Sequence, residues 1–140
     1  MNEPCPFCHP DPDRVFHEGE RVLALWDAFP ASPGHALVVM RRHVAGWFDA
    51  TGEERRELLE AVDVARARIE ESHAPDGYNI GINVGAAAGQ TVFHLHVHVI
   101  PRYTGDVPNP TGGVRLALPH RGNYLRSRGD DGVAGAGSRA

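Results

Sequence analysis

Residues 89–102 read GQTVFHLHVHVIPR, and the fold turns on the spacing of His94, His96 and His98 within them. Residues two apart on a β-strand point the same way, roughly 6.6 Å from one to the next. A strand over 93–100 therefore sets three imidazoles on one face and sends Leu95, Val97 and Val99 into a core. Just upstream, residues 78–84 (YNIGINV) alternate too. Tyr78, Ile80, Ile82 and Val84 share one face, and Asn79, Gly81 and Asn83 share the other. The short loop 85–91 (GAAAGQT) joins the two runs, which predicts antiparallel neighbours.

Further toward the N-terminus, Thr51 opens a helix. Thr51 and Glu54 fit a capping box, in which each side chain bonds the other's backbone N–H. Leu58, Leu59, Val62, Ala65 and Ile69 follow at helical spacing, and Pro75 and Gly77 mark the stop. Two apolar runs precede it, 21–27 (RVLALWD) and 35–40 (HALVVM), split by the turn AFPASPG. Beyond Tyr103 the chain is rich in Pro and Gly, with a short strand predicted at 114–118. Residues 127–140 offer almost nothing to bury, which predicts a disordered tail. The sum is an α+β fold: an antiparallel sheet with one main helix on a face.

The chain has 140 residues, enough for one domain with a buried core. Its net charge of −4 argues against a nucleic-acid footprint. All 14 basic residues are Arg, which removes Schiff-base and P-loop lysine chemistry. No apolar run approaches the roughly 20 residues that span a bilayer, and the polar, Pro-rich N-terminus does not read as a signal peptide. The expected setting is the cytoplasm, without a membrane partner. Histidine is the compositional outlier, at nine.

A row of imidazoles on one face admits three readings: a polar strand surface, a metal site, or acid–base and nucleophilic chemistry near neutral pH. The metal reading lacks a carboxylate, since none lies between Asp76 and Asp106. Asn83, Gln90 and Thr91 are the polar neighbours, and neutral amides and a hydroxyl suit a phosphate or a ribose better than a divalent cation.

The full stretch resembles the signature of the histidine-triad (HIT) superfamily: His-φ-His-φ-His-φ-φ, with φ apolar, preceded by Gly-Gln-Ser/Thr. The resemblance runs over residues 5–102. It takes in LALWDAFPASPGHALVV (23–39), similar to the family's ribose-binding strand and turn, and NVGAAAGQT (83–91), similar to its phosphate loop. The flavour is that of the bacterial and diadenosine-polyphosphate-hydrolase branches. The resemblance implies a single HIT domain over 1–126, with a core at 5–102 and a C-terminal extension at 103–126, and a homodimer with joined sheets. It also implies a hydrolase or nucleotidyl transferase acting at the α-phosphate of a nucleotide, with adenine favoured by family habit.

By the same resemblance the catalytic residues are His96, His98 and Gln90. His96 attacks phosphorus, its Nδ1–H held by a backbone carbonyl. His98 serves the leaving group as donor or proton carrier, and Gln90 and Thr91 donate to phosphate oxygens. Asp27 accepts from the ribose hydroxyls, Asn83 reaches phosphate or ribose, and Phe7, Val15 and Ala28 touch the base. Blander readings stand beside these: Asp27 as a turn residue, Asn83 as a solvated strand residue, Phe7 as core. His35 reads as a structural hydrogen-bonder. Two other readings are a nucleotide-binding regulatory protein with little turnover, and a zinc scaffold whose histidines are all ligands.

Cys5-Pro-Phe-Cys8 resembles the zinc-carrying branch of the superfamily, which implies one structural zinc on Cys5, Cys8, His43 and His94. Four N/S ligands close a tetrahedral site. His9 could replace His43, and a redox pair or free thiols are the alternatives.

Overall fold

The structure, a computed structural model, describes residues 4–125, so the tail expected at 127–140 lies outside the described residues. The chain divides into two compact units, Met1–Arg102 and Tyr103–Ala140.

The first unit holds five strands and one helix: β1 (Val15–Glu18), β2 (Val22–Trp26), β3 (Ala36–Met40), α1 (Gly52–Ile69), β4 (Gly77–Gly81) and β5 (His96–Arg102). The sheet is antiparallel throughout, in the order β1-β2-β3-β5-β4. The expected neighbours β4 and β5 do pair, with Gly81 opposite His98 and Gly77 opposite Arg102. β1 is the strand that the sequence reading lacks. Its four residues are too few to display alternation, and a bulge between Val15 and His17 interrupts what there is.

The pleat sorts β2, β3 and β5 onto two faces. Val22, Ala24, Ala36, Val38, Met40, Val97 and Val99 meet Leu58, Ala61, Ala65 and Ile69 of α1 in the main core. Leu23, Leu25, Leu37 and Val39 point the other way and are covered by Phe7 from the N-terminal loop. β2 and β3 thus bury both faces, which is why they read as unbroken apolar runs.

Helix α1 starts where the capping box predicts. Thr51 Oγ1 accepts from the Glu54 N–H at 3.1 Å, and the Glu54 carboxylate accepts from the Thr51 N–H at 2.8 Å. Leu59, placed on the apolar stripe by spacing, is exposed, because the buried line runs through Glu54, Leu58, Ala61, Ala65 and Ile69. The helix also stops at Ile69, well before Pro75. Arg66 pairs with Glu70 at 2.8 Å and Arg68 with Glu71 at 3.5 Å across this end. The N–H groups of Ser72 and His73 close onto Ile69 O in a turn.

The strand boundaries around the histidines shift from the expected 78–84 and 93–100. Pairing of β4 ends at Gly81, and residues 82–84 leave the ladder toward the glycine-rich loop. At the sheet's end, Ile80 pairs with buried Val99 yet is itself exposed. β5 begins only at His96: the Leu95 carbonyl still accepts from the Met40 N–H of β3 at 3.2 Å, but the Leu95 N–H goes to Val44 O at 2.7 Å.

In the second unit a 3₁₀ turn at Gly113–Ala117 replaces the predicted short strand. The Arg115 Nε–H donates to Gly122 O at 3.0 Å, and its guanidinium lies 5.4 Å from the Tyr124 ring centre. Among the described residues no helix is long and apolar enough to cross a membrane.

Candidate functional site

A cavity of about 230 Å³ opens on the sheet face opposite α1. His96 and His98 reach it from β5, Leu37 from β3, and Asp27 from the end of β2. Asn83, Gln90 and Thr91 reach it from the segment between β4 and β5, and Phe7 from the N-terminal loop. The sequence-expected Ala28 also lines it, whereas Val15 packs against the Phe7 cluster. Arg14 and Phe29 line it as well, and no motif marks either one. Arg14 and Asp27 are the formally charged side chains in the lining.

His96 is nearly buried, its ring 4.8 Å from that of Phe7. Its Nδ1 lies 2.8 Å from His94 O, a distance at which Nδ1–H donates to the carbonyl. The neutral ring then keeps its lone pair on Nε2.

His35 joins this group through long-range packing. Its Nδ1 accepts from the Ala31 N–H at 2.9 Å, so the proton of the neutral ring sits on Nε2. That nitrogen is 3.0 Å from His98 Nδ1 and 3.4 Å from Asp27 Oδ2. Burial, then the neighbouring His96 and His35, holds His98 down to about 4. Burial likewise lowers His35, partly countered by Asp27. Both rings are therefore neutral at pH 7. Ligating atoms of Asp27, His35 and His98 lie within 4.8 Å of one another, close enough to suggest a cation. The His35 N–H fills the place that a cation would take, so the trio reads as a hydrogen-bonded chain.

Gln90 is organised differently from the sequence expectation. Its Nε2 donates to Ala45 O at 2.7 Å and to Val92 O at 3.1 Å, and its Oε1 accepts from the Gly85 N–H at 2.8 Å. Both amide hydrogens are spent on backbone carbonyls, so contact with a phosphate would require one of those bonds to be exchanged. The loop that Gln90 ties down turns through Gly85 and Gly89, at φ of 91° and 94°, where a side chain would be strained. Thr91, next in the chain, stays exposed at the cavity.

His94 keeps the expected alternation, with Leu95 entering the main core beside Val97 and Val99 and Phe7 touching both His94 and His96. His94 precedes β5, is fully buried, and donates from Nε2 to Met40 O at 2.6 Å. Its bare Nδ1 faces Cys5 Sγ at 3.4 Å, Cys8 Sγ at 3.5 Å and His43 Nδ1 at 3.2 Å. The four ligating atoms all lie within 4.8 Å of one another, which is metal-binding distance. A tetrahedral zinc with Zn–S near 2.3 Å and Zn–N near 2.0 Å spaces its ligands roughly 3.3–3.8 Å apart, and the Cys5–His94, Cys8–His94, Cys8–His43 and His43–His94 pairs lie at 3.2–3.5 Å. The Met40 carbonyl behind His94 fixes the ring and its tautomer, as partners of metal-bound histidines usually do. Burial and the adjacent Cys5 push the Cys8 thiol up, and a cation at this point would reverse that.

Fold and site together define a small α+β domain built around a strand of alternating histidines, with a half-enclosed cavity and a Cys₂His₂ cluster that Phe7 adjoins in common. The family model named HIT domain matches residues 10–105, and the chain belongs to that family. A protein of Mycobacterium tuberculosis named AP-4-A phosphorylase is 40% identical over 93 residues, 66% of this chain and 48% of that protein. This chain thus spans about half the length of that relative. Protein hit of Bacillus subtilis is 36% identical over 105 residues, 72% of each chain. A solved zinc-bound histidine triad family protein from Mycobacterium smegmatis superposes with a TM-score of 0.65 at 36% identity, covering 75% of this chain and 77% of its own.

Proposed function

We propose that this protein is a nucleotide hydrolase or nucleotidyl transferase that acts at the α-phosphate through a covalent intermediate on His96. The observation that carries this reading is the 2.8 Å bond from His96 Nδ1 to His94 O, which leaves an Nε2 lone pair on a ring lining the cavity. An imidazole so held can act as a nucleophile through Nε2. In the first step Nε2 bonds to phosphorus. The bond to the leaving group breaks with its electron pair on the leaving atom. The tautomer fixed by His35 gives His98 an Nε2–H to donate to that atom. In the second step water adds to phosphorus, the P–N electrons return to Nε2, and the water's proton goes to His98 Nε2, restoring the one given to the leaving atom. Asp27 holds the ribose, while Phe7 and Ala28 flank the base. Asn83, Thr91 and the loop that Gln90 organises surround the phosphate. The protein supplies position and electrostatics, the main work in phosphoryl-group transfer.

Adenine as the base is supported by the name of the mycobacterial relative. Cys5, Cys8, His43 and His94 would hold one structural zinc, which when bound ties the N-terminal loop and Phe7 to the strand that bears His96. The end position of β4 in the sheet suits a cytoplasmic homodimer formed by joining two sheets at that strand.

The direct test is to quench the protein during turnover of an α-³²P-labelled dinucleoside polyphosphate or nucleoside phosphoramidate. Label should appear on His96 in an acid-labile, base-stable adduct. Failure to trap label, together with inversion of configuration at phosphorus, would instead assign the attack to water.

A further inference from the structure

Around His35, one hydrogen is bonded to His98 and has the Asp27 carboxylate close beside it. Because His35 Nδ1 is occupied by the Ala31 N–H, the Nε2–H is the one proton that the neutral ring can offer. It lies 3.0 Å from His98 Nδ1 and 3.4 Å from Asp27 Oδ2. The other Asp27 oxygen accepts from the Phe29 N–H at 2.8 Å, which fixes the carboxylate in the turn. Where the His35 hydrogen goes decides the state of His98. If it is given to His98 Nδ1, the His98 proton must sit on Nε2. If it is drawn to Asp27, His98 Nδ1 has no donor from His35, and its own proton is free to sit on either nitrogen.

We infer that Asp27, by competing with His98 for the single Nε2–H of His35, makes occupancy of the sugar site set the tautomer of His98. The inference rests on the proposed reading of Asp27 as the ribose carboxylate. A hydroxyl donating to Asp27 Oδ2 satisfies that oxygen and weakens its pull on His35. The His35 hydrogen then commits to His98, whose Nε2–H becomes a fixed donor for the leaving atom. Sugar recognition is thereby converted into alignment for the chemical step, and His35 is a positioning residue. The trio is buried or half-buried, so water competes poorly for these hydrogens.

The expected signature is a loss in kcat rather than in KM alone. A purely binding role for Asp27 would raise KM for a substrate lacking sugar hydroxyls and leave the committed step untouched. Single-turnover rates would be measured for adenosine and 2′,3′-dideoxyadenosine 5′-phosphates carrying propylamine or p-nitrophenol as leaving group. With propylamine, the saturating rate should fall at least roughly tenfold on removal of the hydroxyls, a part of the 10²–10⁴ that a positioned donor supplies. With p-nitrophenol, which leaves without help, the rates should match. Asp27→Asn, whose amide competes weakly for the His35 hydrogen, should erase the kcat difference between the two sugars. Independently of turnover, ¹⁵N spectra of the histidines should report His98 protonated at Nε2 with adenosine bound and mixed with 2′,3′-dideoxyadenosine bound. Equal saturating rates for both sugars with propylamine, or a His98 tautomer indifferent to the sugar, would overturn the coupling. Absence of turnover with every substrate would count against the proposed enzyme and leave the spectra to decide this point.

Discussion

At the scale of single residues, the groups in the cavity differ in what their neighbours leave them able to do. His96 keeps a lone pair on Nε2 because its Nδ1–H is donated to the His94 carbonyl. His96→Ala should therefore abolish turnover while nucleotide affinity, read by calorimetry, stays within about tenfold, since the ring acts mainly in the transition state. A variant that retained the wild-type rate would remove the nucleophile assignment. Gln90 is the contrasting case. With its amide tied to Ala45, Val92 and Gly85, Gln90→Ala should unfasten the loop and lower the melting temperature along with activity. A phosphate donor that did nothing else would lower activity alone. The spacing of the histidines was readable because strand periodicity is a local property. The duties of Gln90 and His35 were not, because they depend on partners up to 63 residues away, as with His35 and His98. His94 holds its place in the alternation although β5 starts only at His96, and alternation does not reveal where a strand begins.

Elements differ in legibility for a related reason. α1 announced itself through its cap, a short-range device, and the structure has both bonds of the box. Thr51→Ala should cost about 1 kcal/mol in a denaturant titration. Leu58→Ala, at a fully buried position on the same helix, should cost about 2–5 kcal/mol. Glu54 adds a pH dependence. Its bond to Arg42, then the Thr51 N–H, lowers its carboxyl from 4.5 to about 2. A depressed carboxylate adds stability above the unfolded pKa and loses it as the pH falls toward the folded one. The acid limb of stability between pH 4.5 and 2 should therefore be shallower in Glu54→Gln, as followed by melting temperature across that range. An unchanged limb would mean that Arg42 and Glu54 are not paired in solution. The end of α1, the start of β5 and the brief β1 were set instead by a turn closing on Ile69, by the Val44 carbonyl and by a bulge. None of these leaves a periodic trace.

Across the whole molecule, the N-terminal loop and the histidine strand meet at the Cys₂His₂ cluster. Protein purified without chelator should carry one zinc per chain by metal analysis. Stripping it, or replacing both cysteines in Cys5→Ser with Cys8→Ser, should lower the melting temperature, because an ion that binds only the folded state stabilises that state. Metal-free protein with two freely titrating thiols would end that assignment. Light scattering should return twice the chain mass of 15.2 kDa if the sheets join at β4. The knot that Gln90 ties between Ala45, Gly85 and Val92 bears on how a ligand gets in. A loop already fastened to the body of the domain has no closing motion to complete and little freedom left to surrender. Nucleotide capture should therefore be ungated, its rate falling in simple proportion as solvent viscosity rises, with no slower second phase behind it.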